Sequence, residues 1–240
     1  MTYCVGLLLD EGLVLLSDTR TNAGVDNIAT FRKMFVFEVP DERVVVIMTA
    51  GNLSVTQTML AKLQDAIDDP EASEATSILQ ASTMLGIAEI IGNTLAAVSQ
   101  DIAGKMGQGN PAASASLIVA GQRAGGVPRL FQIYPEGNFI EATEDTPFLQ
   151  IGEHKYGKPI LDRVVTPRTS LSDGCKAVLL SMDSTLRSNL SVGMPLDLVT
   201  IARDQCRVRT RERIEPGNSQ FSQMSEAWSE ALKAAFAALR

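Results

Sequence analysis

The most constraining stretch of this sequence is its beginning. Residues 3–9 (YCVGLLL) and 13–16 (LVLL) are apolar at odd and even positions alike, and Asp10-Glu11-Gly12 between them supplies a tight turn. Successive side chains of a strand point to opposite faces, so a hairpin with two apolar faces must be covered on both. The pattern therefore predicts an antiparallel hairpin sandwiched between other layers.

The rest of the chain supplies those layers. Strands are expected at 31–37 and 43–49, turning at Pro40-Asp41-Glu42. A helix follows over 53–67, stopped by Asp68-Asp69-Pro70. A long amphipathic helix is expected from about 73 to 102, broken by Gly104 and the polar Gly107–Pro111 loop. Strands return at 114–122, 129–134, 138–141 and 148–152, then helices at about 155–163 and 172–186, then strands at 198–203 and 207–214. A C-terminal helix over about 220–239 carries Phe221, Met224, Trp228, Leu232, Phe236 and Leu239 on one stripe. Helices in consecutive pairs argue against a doubly wound parallel sheet, which alternates strand and helix. Two stacked antiparallel sheets with helices outside fit the order. The expected fold is α+β, a four-layer αββα sandwich, with residues 1–240 as one domain.

Composition narrows the function. The net charge is -7 and the pI about 4.8, so the chain has no general attraction for nucleic acid or an anionic membrane. No stretch reaches the ~20 apolar residues of a membrane span. Cys4, Cys175 and Cys206 form neither a disulfide framework nor a metal spacing, which suits a reducing, cytoplasmic setting. The single histidine, His154, excludes a His-rich metal site. Gly104, Gly107 and Gly109 follow no strand, so no phosphate loop and no cofactor is expected. His154-Lys155-Tyr156 reads as a helix start, and the alternating Arg203, Arg207, Arg209, Arg211 and Arg213 as a solvated or subunit-facing strand face.

The residues that carry chemistry are Thr2, Asp18, Arg20 and Lys33. Loss of Met1 would make Thr2 terminal. An N-terminal threonine brings its own base, because its α-amino group can take the Oγ proton. That amine must be neutral and the hydroxyl acidified, and a nearby ammonium does both. Lys33, between Phe31 and Phe35, can supply that field, with Asp18 as its carboxylate partner at the end of the hairpin that begins at Thr2. Arg20 can pair with Asp18 and hold it. Each residue alone also has a plain structural reading, since strand ends often carry Asp and lysines snorkel along edges. The combination with position 2 carries the signal.

Thr2, Ser17-Asp18-Thr19-Arg20, Asn22, Gly24, Lys33 and Ala50-Gly51 together resemble the proteasome β-subunit family and the HslV-type bacterial protease, most of all the ancestral β-subunit branch called Anbu. The resemblance implies a peptidase subunit with Thr2 as nucleophile, Asp18 and Lys33 as its charged support, Arg20 beside them, and the Gly51 amide in the oxyanion hole. It implies a substrate pocket lined by Thr21, Asn22, Phe31, Phe35 and Thr49. Phe31, Lys33 and Phe35 alternate by two and would share one strand face. At Ile151-Gly152-Glu153 the chain carries Glu153 where the family has a supporting serine. Ser188 and Ser191, in Ser188-Asn189-Leu190-Ser191, match the stretch of the family's other supporting residues, without its Asp. The resemblance also implies a ring or spiral homo-oligomer acting on peptide or protein substrates. An ATP-driven unfoldase partner cannot be inferred from one chain. Two alternatives stay open: an Ntn amidohydrolase acting on a non-peptide amide, and a weakly active or structural subunit.

Overall fold

The computed structural model describes residues 1–22, 28–106 and 113–239. Strands β1 (Tyr3–Leu9), β2 (Gly12–Asp18), β3 (Arg20–Asn22), β4 (Ile28–Thr30), β5 (Met34–Val39) and β6 (Arg43–Gly51) lead into helices α1 (Leu53–Asp68) and α2 (Met84–Met106). Strands β7 (Ala115–Arg123), β8 (Arg129–Ile133), β9 (Phe139–Glu141) and β10 (Phe148–Gly152) precede α3 (Lys158–Val164) and α4 (Leu171–Ser188). The chain closes with β11 (Leu196–Ala202), β12 (Thr210–Ile214) and α5 (Ser219–Ala238).

Two five-stranded antiparallel sheets stack face to face, one ordered β10-β1-β2-β11-β12 and the other β5-β6-β7-β8-β9. The apolar alternation of the opening hairpin is spent on two separate cores. Tyr3, Val5, Leu7, Leu9, Val14 and Leu16 pack outward with Leu161, Val178 and Met182 of α3 and α4. Cys4, Leu13 and Leu15 pack inward, between the sheets, with Val46, Met48, Ile118 and Leu130. A third core lies between the second sheet and helices α1 and α2. These three apolar layers define the αββα sandwich that the double alternation required.

Several boundaries differ from the sequence expectation: Gly104 does not break the long helix, which runs on to Met106, and β12 starts at Thr210 rather than 207. The long helix starts at Met84 rather than near 73. Serine and threonine side chains compete for the backbone there: Thr76 Oγ1 accepts from Ser73 N–H at 2.9 Å, and Thr83 Oγ1 from Gly86 N–H at 2.9 Å. Ile78 and Ala81 still reach the core from this turn-rich segment, which is why their spacing imitated a helix. Strand β5 starts at Met34, not at Phe31, so Phe31 and Lys33 stand outside the strand. The N–H of Phe31 instead donates to Thr19 O at 2.9 Å, and Lys33 O accepts from Thr49 N–H at 2.9 Å. Helix α3 starts at Lys158, and His154–Gly157 form the turn before it. The expected Gly107–Pro111 loop, and Gly24, lie outside the described residues.

No helix among the described residues is long and apolar enough to cross a membrane. The C-terminal helix docks by its first half only: Phe221 and Ser225 are buried, whereas Phe236 is 80% exposed. Of the basic run, Arg207 and Arg209 precede β12, and Arg213 pairs with Asp197 and Glu215 at this edge of the sheet.

Candidate active site

The hairpin returns the chain to its own start, so Asp18 at the end of β2 lies beside the first residues of β1. Its carboxylate is fully buried and binds three separate parts of the chain. Oδ1 accepts from Tyr3 N–H at 3.1 Å and from the Lys33 ammonium at 2.7 Å, and Oδ2 accepts from Gly193 N–H at 3.2 Å. Burial pushes the Asp18 carboxyl up, while Lys33 and the two amides pull it back down.

Lys33 is 5% exposed. Its ammonium donates to Asp18, to the Arg20 carbonyl at 2.5 Å and to the Met1 carbonyl at 3.3 Å. The last contact sets the positive charge against the Met1–Thr2 peptide bond, the bond whose cleavage would free the Thr2 amine. Thr2 itself is 8% exposed. With Met1 in place, burial and then Lys33 lower the terminal amine's pKa, and Asp18 and Glu153 oppose them.

The neighbouring Cys4 thiol is locked in the core. Cys4 is fully buried, and burial pushes its pKa far up, so it stays a neutral thiol donating to Thr49 O at 3.8 Å. Tyr3 anchors the strand on its other face. Its hydroxyl bonds Ser181 Oγ at 2.6 Å and accepts from Gln150 Nε2 at 2.5 Å.

A cavity of about 380 Å³ opens in front of Thr2. Thr21, Lys33, Thr49, Gly51 and Glu153 line it with Thr2. Gly51 ends β6 at φ 116°, a backbone conformation suited to glycine, and a Cβ there would run into the Ser114 carbonyl. Gly152, at φ 80°, lies so close to the Thr2 carbonyl that no side chain would fit. The next amide, Glu153 N–H, donates to Thr2 O at 2.7 Å. Glu153 thus stands where the family serine was expected, tied to Thr2 through the main chain.

Several expected residues stand elsewhere. Arg20 does not pair with Asp18, whose oxygens are already engaged. It donates to Leu190 O at 2.8 Å, and its guanidinium packs on Gly193. Ser188 is exposed at the end of α4, Ser191 is half-buried, and neither lines the cavity. Phe31 and Phe35 do not share a strand face with Lys33. They line an adjoining hollow of about 290 Å³ instead. The Asn22 side chain lies outside the described residues. His154 lines a separate hollow with Lys158 and Asp162 rather than the rim around Thr2.

Sequence reasoning missed two contributors. Gly193 supplies its amide to Asp18, and the only available signal was a glycine in the turn before β11. Arg32 lines the cavity, hidden in the sequence beside the more conspicuous Lys33. Among the described residues, no group of three or more His, Cys, Asp or Glu side chains is placed to hold a metal ion.

The stacked sheets with helices on both outer faces define an N-terminal-nucleophile type of fold, and it brings a buried Asp–Lys pair beside the threonine at position 2. Residues 2–201 match the proteasome subunit family. An Anbu mutant from Hyphomicrobium sp. strain MC1 is 47% identical, with a TM-score of 0.93 over 100% of this chain and 98% of that one. Anbu from Yersinia bercovieri is 44% identical, with a TM-score of 0.92 over 99% and 98%. A helical assembly of the Anbu complex from Pseudomonas aeruginosa is 44% identical, with a TM-score of 0.91 over 99% and 97%. No curated protein matched. The chain belongs to the proteasome subunit family, in its ancestral β-subunit (Anbu) branch.

Proposed function

We propose that this chain is a threonine peptidase subunit that cleaves peptide bonds through Thr2 after Met1 is removed, and that it works in the cytoplasm as a ring or spiral of identical copies. The observation that carries the reading is the buried Lys33 ammonium, held at 2.7 Å by Asp18 and at 3.3 Å from the Met1 carbonyl. A lysine this buried is costly, and its placement against the Met1–Thr2 peptide gives that cost a purpose. The assembly part leans on the helical assembly described for the Pseudomonas aeruginosa relative.

In this mechanism the Thr2 Oγ attacks the scissile carbonyl and the freed Thr2 amine takes its proton. Lys33 keeps that amine neutral and stabilises the alkoxide. The Gly51 amide receives the oxyanion of the tetrahedral intermediate. Collapse expels the substrate amine, which takes the proton from the Thr2 ammonium, and leaves an ester on Thr2. A water molecule, deprotonated by the same amine, then hydrolyses the ester and regenerates the enzyme. While Met1 remains, the Thr2 nitrogen is an amide and cannot act as a base.

Peptide hydrolysis by processed protein, by Thr2→Ala and by protein that retains Met1 tests this directly. Processed protein should hydrolyse peptides, and both other forms should be inactive. Equal hydrolysis by Thr2→Ala would rule Thr2 out as nucleophile.

A further inference from the structure

We infer that Arg32 makes this site select an acidic side chain on the substrate, glutamate above all, at the residue whose carbonyl is attacked. The inference rests on the peptidase reading of Thr2 and names the substrate class of that site.

Arg32 lies between Phe31, whose N–H is turned to Thr19 O, and Lys33, whose carbonyl accepts from Thr49 N–H in register with β5 and β6. It lines the cavity in front of Thr2 and also the adjoining hollow that holds Phe31 and Phe35. The wall common to both is made by Arg32, Leu53 and Thr56. A substrate side chain passing from the cavity towards the hollow therefore meets an aliphatic side chain, a threonine and a guanidinium.

The charges around the cavity fall into two groups. Lys33 is neutralised by Asp18 at 2.7 Å. Glu153 belongs to the opposite, amine end, since its N–H is bound to Thr2 O and its charge acts on the terminal amine. Arg32 is exposed and forms no ion pair within the described residues, and Asp197 behind it feels its charge only at longer range. Among the described residues, the Arg32 guanidinium is thus the cation left for a substrate. A glutamate stem fits against Leu53 and Thr56, and its carboxylate can form a forked pair of bonds with Arg32. Lysine would meet like charge there, and leucine would leave the guanidinium uncompensated.

The test uses peptide epoxyketones that are identical except for the side chain next to the reactive group: Glu, Gln, Leu or Lys. Glu and Gln share a shape, so their rate ratio isolates the charge. Intact mass would follow labelling of Thr2 in processed full-length protein. The Glu probe should label about tenfold faster than the Gln probe, a modest gain for an exposed charge pair. In Arg32→Gln that ratio should fall to about one, and in Arg32→Glu the Lys probe should overtake the Glu probe. Labelling of Thr2 with a Glu:Gln ratio near one, or a ratio unchanged in Arg32→Gln, would overturn the assignment of Arg32 alone. Failure of all four probes to label Thr2 would overturn the peptidase reading, and this inference with it.

Discussion

Two walls meet at Thr2, and they are built from different materials. The wall formed by the end of β2 and residues 31–33 contributes side chains: the Asp18 carboxylate and the Lys33 ammonium, both buried. The other wall, residues 152–153 beside Thr2 together with the turn at 190–193 against Asp18 and Arg20, contributes main chain. Glu153 N–H holds Thr2 O, Gly193 N–H holds Asp18, and Leu190 O holds Arg20. A side-chain wall is broken by a change of functional group. A main-chain wall tolerates changes of functional group but not an added Cβ where the chain is closely approached.

The largest effect should come from the side-chain wall. Asp18→Asn leaves a buried ammonium without its counter-charge, and the fold should lose about 3–5 kcal/mol by urea denaturation. If the variant unfolds like the wild type, the Asp18–Lys33 pair does not hold the fold together.

Tyr3→Phe sharpens the comparison from the helix side of β1. It leaves Ser181 and Gln150 without their shared partner, at a cost of about 1–3 kcal/mol. The pH dependence has a definite sign. Burial pushes the Tyr3 phenol from its ordinary value of 10 to about 12, so the folded state excludes the phenolate. The stabilisation is complete below the ordinary value and is lost as pH rises through about 12, a difference of roughly 2–3 kcal/mol. Tyr3→Phe should remove that share from the alkaline limb of a stability profile, leaving the share of Cys4, whose buried thiol titrates with the same sign. An alkaline limb of unchanged steepness in Tyr3→Phe would contradict this.

Gly193→Ala probes the main-chain wall. The added methyl runs into the Arg20 guanidinium, so Arg20 must swing away and release Leu190. Because the far end of a flexible side chain can move, the cost should be smaller, about 1–2 kcal/mol in thermal unfolding. A neutral Gly193→Ala would show that Arg20 does not hold the 190–193 turn. At the small end, Ser188→Ala and Ser191→Ala should change stability by less than about 0.5 kcal/mol, because neither side chain reaches the cavity. A tenfold fall in Thr2 labelling in either variant would place that serine back in the machinery.

The same division explains what could be read in advance. The hairpin, the layer order and the Asp18–Lys33 pair were legible, because double apolar alternation and charges in apolar stretches are properties of side chains. Gly193 and Leu190 act through an amide and a carbonyl, which every residue owns, so residue type did not reveal them; Glu153 stood out by its position, but its main-chain bond to Thr2 did not. Arg20 was legible as a participant but was assigned the wrong partner, because the number of hydrogen bonds already made to Asp18 is a property of the fold. Phe31 and Phe35, expected in the substrate pocket, line the adjoining hollow and not the cavity at Thr2. Their alternation with Lys33 suggested one continuous strand, whereas pairing with β6 continues only as far as Lys33 and the Phe31 N–H turns to Thr19 O. The start of α2 was misplaced because Ile78 and Ala81 are buried from turns at a spacing that a helix would also give.

The central claim is that Thr2 is armed by Lys33 once its amine is free. Its most direct test is covalent labelling of the mature N-terminus by a threonine-directed β-lactone, read by intact mass and peptide mapping. Processed protein should take one label on Thr2, protein retaining Met1 should take none, and Lys33→Ala, less stable for its unpaired Asp18 and assayed where it is still folded, should label slower by about 10²–10³-fold. Labelling of Thr2 at the processed rate in the Met1-retaining protein, or in Lys33→Ala, would contradict the account.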